Sequence, residues 1–150
     1  MNVEITRTEP SASARQYTVH LSPTRRGARL ARLLTTAQLA CWGIPSEAAA
    51  RVVAELAVNA ALHGRVAGRD FQLRIAVEDA GRRLRIEVTD TRGDRLPPAP
   101  GTLSPPPDDA ESGRGLLIVE ALAARWGVTQ GPVPRKTVWA ELDLDLGLVP

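Results

Sequence analysis

The chain has 150 residues, a length that fits one domain able to bury roughly two thirds of the surface exposed by its unfolded form. Hydrophobic residues make up 43% and charged residues 24%, which excludes a wholly disordered or fibrous protein. The formal net charge is +2, and Lys136 is the only lysine, so the positive charge comes almost entirely from arginines scattered along the chain. With so few aromatic residues between them, these arginines argue against a nucleic-acid surface but remain well suited to phosphate.

The single cysteine excludes an internal disulfide and a cysteine-based zinc site. Cys41 lies within an apolar helical pattern, so we expect it to pack in the core. Residues 1–14 are polar, which predicts a loosely ordered segment ahead of one domain over residues 15–150. No signal region is expected in that segment, and no run of the sequence approaches the roughly 18 apolar residues of a membrane span. A cytoplasmic protein without membrane contact is therefore expected.

The first half of the chain predicts one strand followed by two helices. Residues 16–21 alternate between polar and apolar side chains, as a strand does. A first helix is predicted from a Ser22 cap through Trp42, where glycine and proline follow. A second helix is predicted to open at Ser46 and to end at Gly64.

The second half predicts a sheet, a long loop and one more helix. Residues 71–79 and 82–90 alternate around Ala-Gly and predict a β-hairpin. Residues 91–112 are rich in proline and lack periodicity, which is typical of a functional loop such as a lid. A third helix over 115–127 and a final strand over 136–146 complete an α+β sandwich with helices on one sheet face.

Three polar side chains interrupt the second helix in the stretch AELAVNAALHG. Glu55, Asn59 and His63 are four residues apart, and each is turned only about 40° from the previous one, so they form one narrow stripe. Because an unpaired buried carboxylate is costly, Glu55 must be partnered, ligate something or face a cleft. The alternative, that the stripe is the solvent side of the helix, is equally consistent with the helix alone.

Other short motifs could contact a nucleotide. In EVTDTRGD a strand ends at Asp90, whose carboxylate could accept a hydrogen bond from an exocyclic amine such as that of adenine, and Gly93 would let backbone approach the ring. In SGRGLL, Gly113 and Gly115 precede a helix whose first N–H groups favour a phosphate. Thr137 could assist a ligand on the last strand. Each motif also has an ordinary interpretation as a turn, a helix start or a strand former.

Several other catalytic chemistries lack their residues in this sequence. It contains no Gly-x4-Gly-Lys-Ser/Thr loop, no His-Glu-x-x-His and no Gly-x-Ser-x-Gly motif. With only His20 and His63, a catalytic triad or a zinc enzyme is hard to assemble. The loop over residues 91–112 instead favours closure over a bound ligand.

Together, ELAVNAALHG, DTRG at a strand end, the lid-like loop, GRGLL and KTVWAEL resemble the GHKL family of ATP-binding domains. The family takes its name from gyrase, Hsp90, histidine kinases and mismatch-repair proteins, and the likeness covers about residues 20–145. A chain this short, without a histidine-phosphotransfer helix pair, most resembles bacterial anti-sigma factor serine kinases of the SpoIIAB and RsbW type. The resemblance implies the Bergerat fold, a two-layer sandwich with a mostly antiparallel mixed sheet, and ATP with Mg²⁺ as ligands.

The resemblance also implies roles for individual residues. Glu55 would be the catalytic residue that orients or deprotonates the attacking hydroxyl, and the amide oxygen of Asn59 would bind Mg²⁺ and so ATP. Asp90 would hold the adenine amine, and Thr137 would complete the adenine contacts. Further ATP-binding positions are Gly93 beside the ring, His63 near the phosphates and, at the start of the third helix, Gly113, Arg114, Gly115 and Leu116.

The glycine box after the strand departs from the family pattern. The family commonly has Asp-x-Gly-x-Gly, whereas here Asp90 is followed by Thr91, Arg92 and only then Gly93. The adenine contact through Asp90 survives this change, but the backbone path beside the ring need not. The proline-rich loop also differs from a glycine-rich lid, which limits its expected closure.

The first functional hypothesis is a protein serine/threonine kinase that phosphorylates an anti-anti-sigma partner of the STAS type and otherwise holds an RNA polymerase sigma factor. A homodimer is implied by the same resemblance, and the scattered arginines favour no direct contact with nucleic acid. The alternative is a nucleotide-gated binding module without turnover, in which ATP orders the loop over 91–112. A DNA-associated ATPase would need a transducer domain that is missing from this sequence.

Overall fold

The computed structural model describes residues 15–103 and 114–144, in which helices pack on one face of an antiparallel sheet. In chain order the elements are β1 (Gln16–Leu21), α1 (Arg25–Trp42), α2 (Glu47–Leu62), β2 (Phe71–Glu78), β3 (Arg83–Asp90), α3 (Arg114–Leu122), β4 (Arg125–Gln130) and β5 (Lys136–Asp143). The strand order is β1-β2-β3-β5-β4, and every neighbouring pair is antiparallel. The α+β sandwich expected from the sequence is confirmed.

The central hairpin supplies the apolar layer beneath the helices. A short 3₁₀ turn over Asp79–Gly81 joins β2 to β3, with left-handed φ angles of 55° at both Asp79 and Ala80. Alternation on the two strands then turns one set of side chains toward the helices. That buried set, each member no more than 2% exposed, comprises Leu73, Ile75, Val77, Leu84, Ile86 and Val88.

Helix α1 begins later than the sequence predicts. The capping residue is Thr24, whose hydroxyl accepts a hydrogen bond from the Gly27 backbone N–H at 3.0 Å. Ser22, the expected cap, instead lies beside Thr24 with its hydroxyl 2.9 Å from the Thr24 hydroxyl. The C-terminal prediction is confirmed, since Gly43 adopts the left-handed conformation at φ 71° that closes many helices.

Two further sequence-based expectations were wrong. The third helix ends at Leu122 rather than at residue 127, and Arg125–Gln130 instead form β4, the edge strand beside β5. Cys41 is exposed rather than in the core. The helical periodicity of α1 explains this, because Leu39 two positions earlier takes the fully buried position on that turn.

The opposite face of the sheet carries an ion-pair network centred on Glu141 of β5. Its two carboxylate oxygens accept hydrogen bonds from Arg125 Nε at 2.9 Å and from Arg85 Nη1 at 2.7 Å. Burial raises the pKa of the Glu141 carboxyl, but the two hydrogen bonds together with the positive charges of Arg83 and Arg85 outweigh burial and hold that pKa below its ordinary value. The Arg85 guanidinium also lies 4.5 Å from the ring centre of Trp139, as a cation–π contact.

Helix α2 is the element that positions the site. It packs between α1 and α3 and lies over β3, so its C-terminal half faces the end of the central strands. Within the described ranges, none of the helices is long and apolar enough to cross a membrane. The predicted N-terminal segment over 1–14 and most of the second half of the predicted loop lie outside the described residues.

Candidate functional site

A cavity of about 330 Å³ opens between α2, the ends of β3 and β5, and the loop after β3. This volume is at the lower end of the roughly 300–1,000 Å³ that small-molecule sites occupy. Its apolar walls and few polar groups are also typical of such sites. The lining residues are Leu56, Asn59, Ala60, His63, Val88, Asp90, Leu116, Lys136, Val138 and residues 95–98.

Helix α2 contributes the polar stripe to this cavity only in part. Asn59 and His63 both line it, and Asn59 is partly buried while His63, at the C-cap of the helix, is exposed. Glu55, one turn earlier, is partly buried and is not among the described residues that line the cavity. Its Oε2 instead accepts a hydrogen bond from Arg51 Nε at 3.3 Å. The stripe therefore divides between a cavity wall and an intrahelical ion pair.

Asp90 lies at the bottom of the cavity and is 5% exposed. Its Oδ1 accepts two hydrogen bonds, one from Lys136 Nζ at 3.0 Å and one from the Arg92 backbone N–H at 2.9 Å. Lys136 Nζ also donates to the backbone oxygen of Arg92 at 3.0 Å. A buried carboxylate needs such partners, because an unpaired one carries a large desolvation cost.

Gly64 leaves the space that the Asp90 carboxylate occupies. A Cβ atom at Gly64 would overlap Asp90 Oδ2, so the absence of a side chain lets the end of α2 approach the end of β3. The register of β3 and β5 pairs Asp90 with Lys136 directly across the strands. Both residues therefore face the helices, in line with Val88 and Val138.

The start of α3 lies beside Glu55. A Cβ atom at Gly115 would come within 2.8 Å of Glu55 Oε1, which places the glycine directly against that carboxylate. Leu116 follows as a buried residue of the cavity wall, and Arg114 is the exposed first residue of the helix. Gly113, the other predicted phosphate-binding glycine, lies outside the described residues.

The structure separates Gly93 and Thr137 from the other predicted site residues. Gly93 packs on the β4–β5 connection, where its N–H donates to the Pro134 oxygen at 2.8 Å. A Cβ at Gly93 would also lie 2.8 Å from that same oxygen. Thr137 points to the opposite sheet face, where its hydroxyl lies 2.7 Å from that of Thr89. Neither residue is among the described residues that line the cavity.

Sequence reasoning missed Lys136 as a member of the site. Two signals were present: it is the only lysine of the chain, and it precedes Val138 at strand spacing. Residues two apart in a strand lie on the same face, so Lys136 and Val138 share one face. Thr137, between them, must lie on the other face. Residues 95–98 were missed as well, because a proline-rich stretch without periodicity does not indicate which of its residues touch a ligand.

Glu120 of α3 holds the loop that covers the cavity. Its Oε2 accepts a hydrogen bond from the Gly101 N–H at 2.6 Å and another from the Trp126 indole N–H at 3.1 Å. The described part of the loop is thereby joined to α3 and β4. In this arrangement residues 95–98 are placed against the cavity.

The side chains at the site could bind a cation only if a bound nucleotide supplied further oxygen atoms. Across the ranges that the structure describes, His, Cys, Asp and Glu side chains do not gather in threes that could hold a metal ion. Asn59 offers one amide oxygen at the cavity wall. This fits Mg²⁺, which protein sites usually bind through one or two side chains while phosphate oxygens and water complete the shell.

Residues 21–141 match the model of a protein family described as the histidine kinase-like ATPase domain. This match covers most of the chain. The protein belongs to this family. As a histidine kinase-like ATPase domain it is an ATP-binding domain, and the described cavity lies wholly within the matched residues.

A similar fold occurs in the crystal structure of the RsbU and RsbW domains of Rv1364c from Mycobacterium tuberculosis, with a TM-score of 0.61 and 21% sequence identity. The match covers 86% of this histidine kinase-like ATPase domain and 32% of the other chain, so the protein spans about a third of that chain's length. At this identity the likeness concerns the fold. Comparison with curated protein sequences gives no significant match.

Proposed function

We propose that this ATP-binding domain is an anti-sigma factor type serine/threonine-protein kinase that uses ATP and Mg²⁺ to phosphorylate a STAS-type anti-anti-sigma partner. The observation that carries the proposal is the convergence of three distant chain segments on one cavity. Asn59 comes from α2, Asp90 from the end of β3 and Leu116 from the start of α3. These are the positions that the family resemblance assigns to metal, adenine and phosphate binding.

Each residue has a role that its surroundings support. Asp90 would accept a hydrogen bond from the adenine amine through Oδ2, since Oδ1 is already engaged by Lys136 and Arg92. The first turn of α3, with Gly115, would receive the phosphates, because the backbone N–H groups at a helix N-terminus point toward an anion bound there. Asn59 would hold Mg²⁺, which neutralises phosphate charge during transfer. His63 at the cavity mouth would lie near the same phosphates.

Glu55 would serve as the base in transfer. As the serine oxygen of the partner protein bonds to the γ-phosphorus, the bond from that phosphorus to the β-phosphate oxygen breaks, and the serine proton passes to the Glu55 carboxylate. The closeness of its carboxylate to Gly115, a residue of the proposed phosphate site, supports this role. Transfer would require Glu55 to leave its ion pair with the exposed side chain of Arg51.

That ion pair also favours a second candidate function, a nucleotide-gated binding module without turnover. In that case Glu55 remains paired to Arg51, and ATP acts by ordering the loop that carries residues 95–98. An RNA polymerase sigma factor would be the partner held, with a homodimer as the assembled form. Direct contact with nucleic acid or a membrane is not part of either proposal.

Incubation with labelled ATP, Mg²⁺ and candidate STAS-type partners tests the kinase proposal. We expect label on a serine or threonine of the partner, and loss of that label in Glu55→Ala with ATP affinity kept within a few fold. Arg51→Ala is the matched control, since it removes the other half of the ion pair. In this variant the rate of label transfer should stay the same or rise. ATP binding without label transfer to any partner would favour the binding module.

A further inference from the structure

Lys136 places a buried ammonium group in the cavity wall. Its side chain is 6% exposed, and it lines the cavity beside Asp90. An ammonium has three N–H donors, and two of them are taken by Asp90 Oδ1 and by the Arg92 backbone oxygen, each at 3.0 Å. Among the described residues, Lys136 Nζ has no third hydrogen-bond acceptor. Within the described part of the chain, one donor therefore remains for a ligand in the cavity.

Asp90 leaves an acceptor beside that donor. Both of its hydrogen bonds within the described chain go to Oδ1, from Lys136 and from the Arg92 N–H. Its Oδ2 packs closely against Gly64, where a Cβ atom would overlap it, and accepts no hydrogen bond from the residues that the structure describes. The wall thus offers a carboxylate acceptor and an ammonium donor on adjacent strands, paired across the sheet in direct register.

Adenine presents the complementary pair of groups on one edge. Its 6-amino group is a donor, and ring nitrogen N1, on the neighbouring ring position, is an acceptor. We propose that Lys136 reads the nucleobase together with Asp90, donating its third N–H to adenine N1 while Asp90 Oδ2 accepts from the 6-amino group. This inference rests on the proposed adenine site, and it adds a residue that determines which base the site accepts.

A purely supporting role for Lys136 makes a different prediction. If the lysine only neutralises Asp90, its removal would lower the affinity for ATP and for every ATP analogue by the same factor. If it contacts N1, the loss depends on whether the ligand carries N1. A hydrogen bond to a charged donor in a buried site corresponds to roughly tenfold or more in affinity.

The first experiment uses the unaltered chain. Calorimetric titration compares ATP with 1-deaza-ATP, which has a C–H in place of N1, and with purine riboside triphosphate, which lacks the 6-amino group. We expect each analogue to bind about tenfold or more weakly than ATP. Equal binding of ATP and 1-deaza-ATP would overturn the inference while leaving the ATP site in place. Failure of ATP itself to bind would instead remove the proposed function.

The second experiment assigns the discrimination to this lysine. In Lys136→Met the ratio of ATP to 1-deaza-ATP affinity should fall to about one, whereas Arg135→Met, which removes a charge from the exposed neighbour, should retain the ratio. If Lys136→Met does not fold, the double variant Asp90→Asn/Lys136→Met removes both buried charges and gives the same comparison. An unchanged ratio in whichever of these folds would show that another group reads N1 and would overturn the inference.

Discussion

Gly64, at the end of α2, lies directly against the carboxylate of Asp90 at the end of β3. A methyl group at this position would have to displace the carboxylate or the helix end. Because Asp90 is also held by Lys136 and by the Arg92 N–H, displacement would disturb the whole floor of the cavity. The glycine is thus required by a side-chain contact rather than by its own backbone conformation.

We expect Gly64→Ala to lower ATP affinity by tenfold or more and to reduce the free energy of unfolding by about 1–3 kcal/mol through overpacking. Calorimetry with ATP and urea unfolding monitored by tryptophan fluorescence measure the two effects. Gly68→Ala is the control, since its methyl group would meet only open space, although its φ of 77° adds backbone strain. ATP affinity equal in Gly64→Ala and the unaltered chain would contradict this account of Asp90.

Gly115→Ala should separate stability from phosphate transfer. The new methyl group would crowd the flexible end of Glu55, 2.8 Å away, and alanine is the better helix former by about 1 kcal/mol. We therefore expect unfolding free energy within about 1 kcal/mol of the unaltered chain, with label transfer reduced tenfold or more. Transfer at the original rate, in a variant that still binds ATP, would show that the position of Glu55 against α3 is irrelevant to the reaction.

Glu120→Ala should release the loop beside the cavity. The substitution removes the acceptor for the Gly101 N–H and for the Trp126 indole, at a cost of about 1–3 kcal/mol to that local structure. Hydrogen–deuterium exchange should then speed up at residues 99–103 and remain unchanged in the central hairpin. Glu87→Ala on the other face of the sheet serves as the control. Unchanged exchange at Gly101 would mean that other contacts hold the loop.

The Glu141 network predicts a pH dependence of stability. Since its folded-state pKa lies below the ordinary value of 4.5, the contribution of this carboxylate is fully present above that pH. It is lost as pH falls through the lower folded-state pKa. We expect Glu141→Gln to lower the free energy of unfolding by about 1–3 kcal/mol at pH 7. This gap between the variant and the unaltered chain should shrink as pH falls below about 4.5.

Urea unfolding of both proteins between pH 7 and pH 3 measures that gap. Asp143→Asn is the matched control, because Asp143 also pairs with Arg125 but is exposed, and exposed ion pairs contribute little. A gap between Glu141→Gln and the unaltered chain that stays constant across this range would contradict the assignment.

Strand and helix periodicity was sufficient to predict most of the fold. The alternation of residues 71–90 identified the hairpin and its buried face, and the apolar pattern of α2 located the polar stripe. The edge strand β4 was missed because its residues continue an alanine-rich helical pattern with no breaker before Trp126. The reason for a glycine at position 127 of that strand is evident only from the fold, where Gly127 leaves room for the Trp139 ring.

The site was harder to predict because it depends on pairing between distant strands. Whether Lys136 or Thr137 faces the cavity is decided by the register of β5 against β3, and a shift of one residue would exchange them. The Gly64–Asp90 contact likewise joins elements 26 positions apart in the sequence. Local motifs identified Asn59 and Asp90 as candidates, but the lysine beside Asp90 came from the tertiary structure.

A crystal structure of the chain with Mg²⁺ and a non-hydrolysable ATP analogue is the most direct test of the central claim, that the cavity between α2, β3 and β5 is the nucleotide site. We predict the adenine ring against Asp90, with its 6-amino group within hydrogen-bond distance of Oδ2, and the metal ion bound to the Asn59 amide oxygen. An analogue bound elsewhere on the domain, or in this cavity with its base turned away from Asp90, would contradict the account.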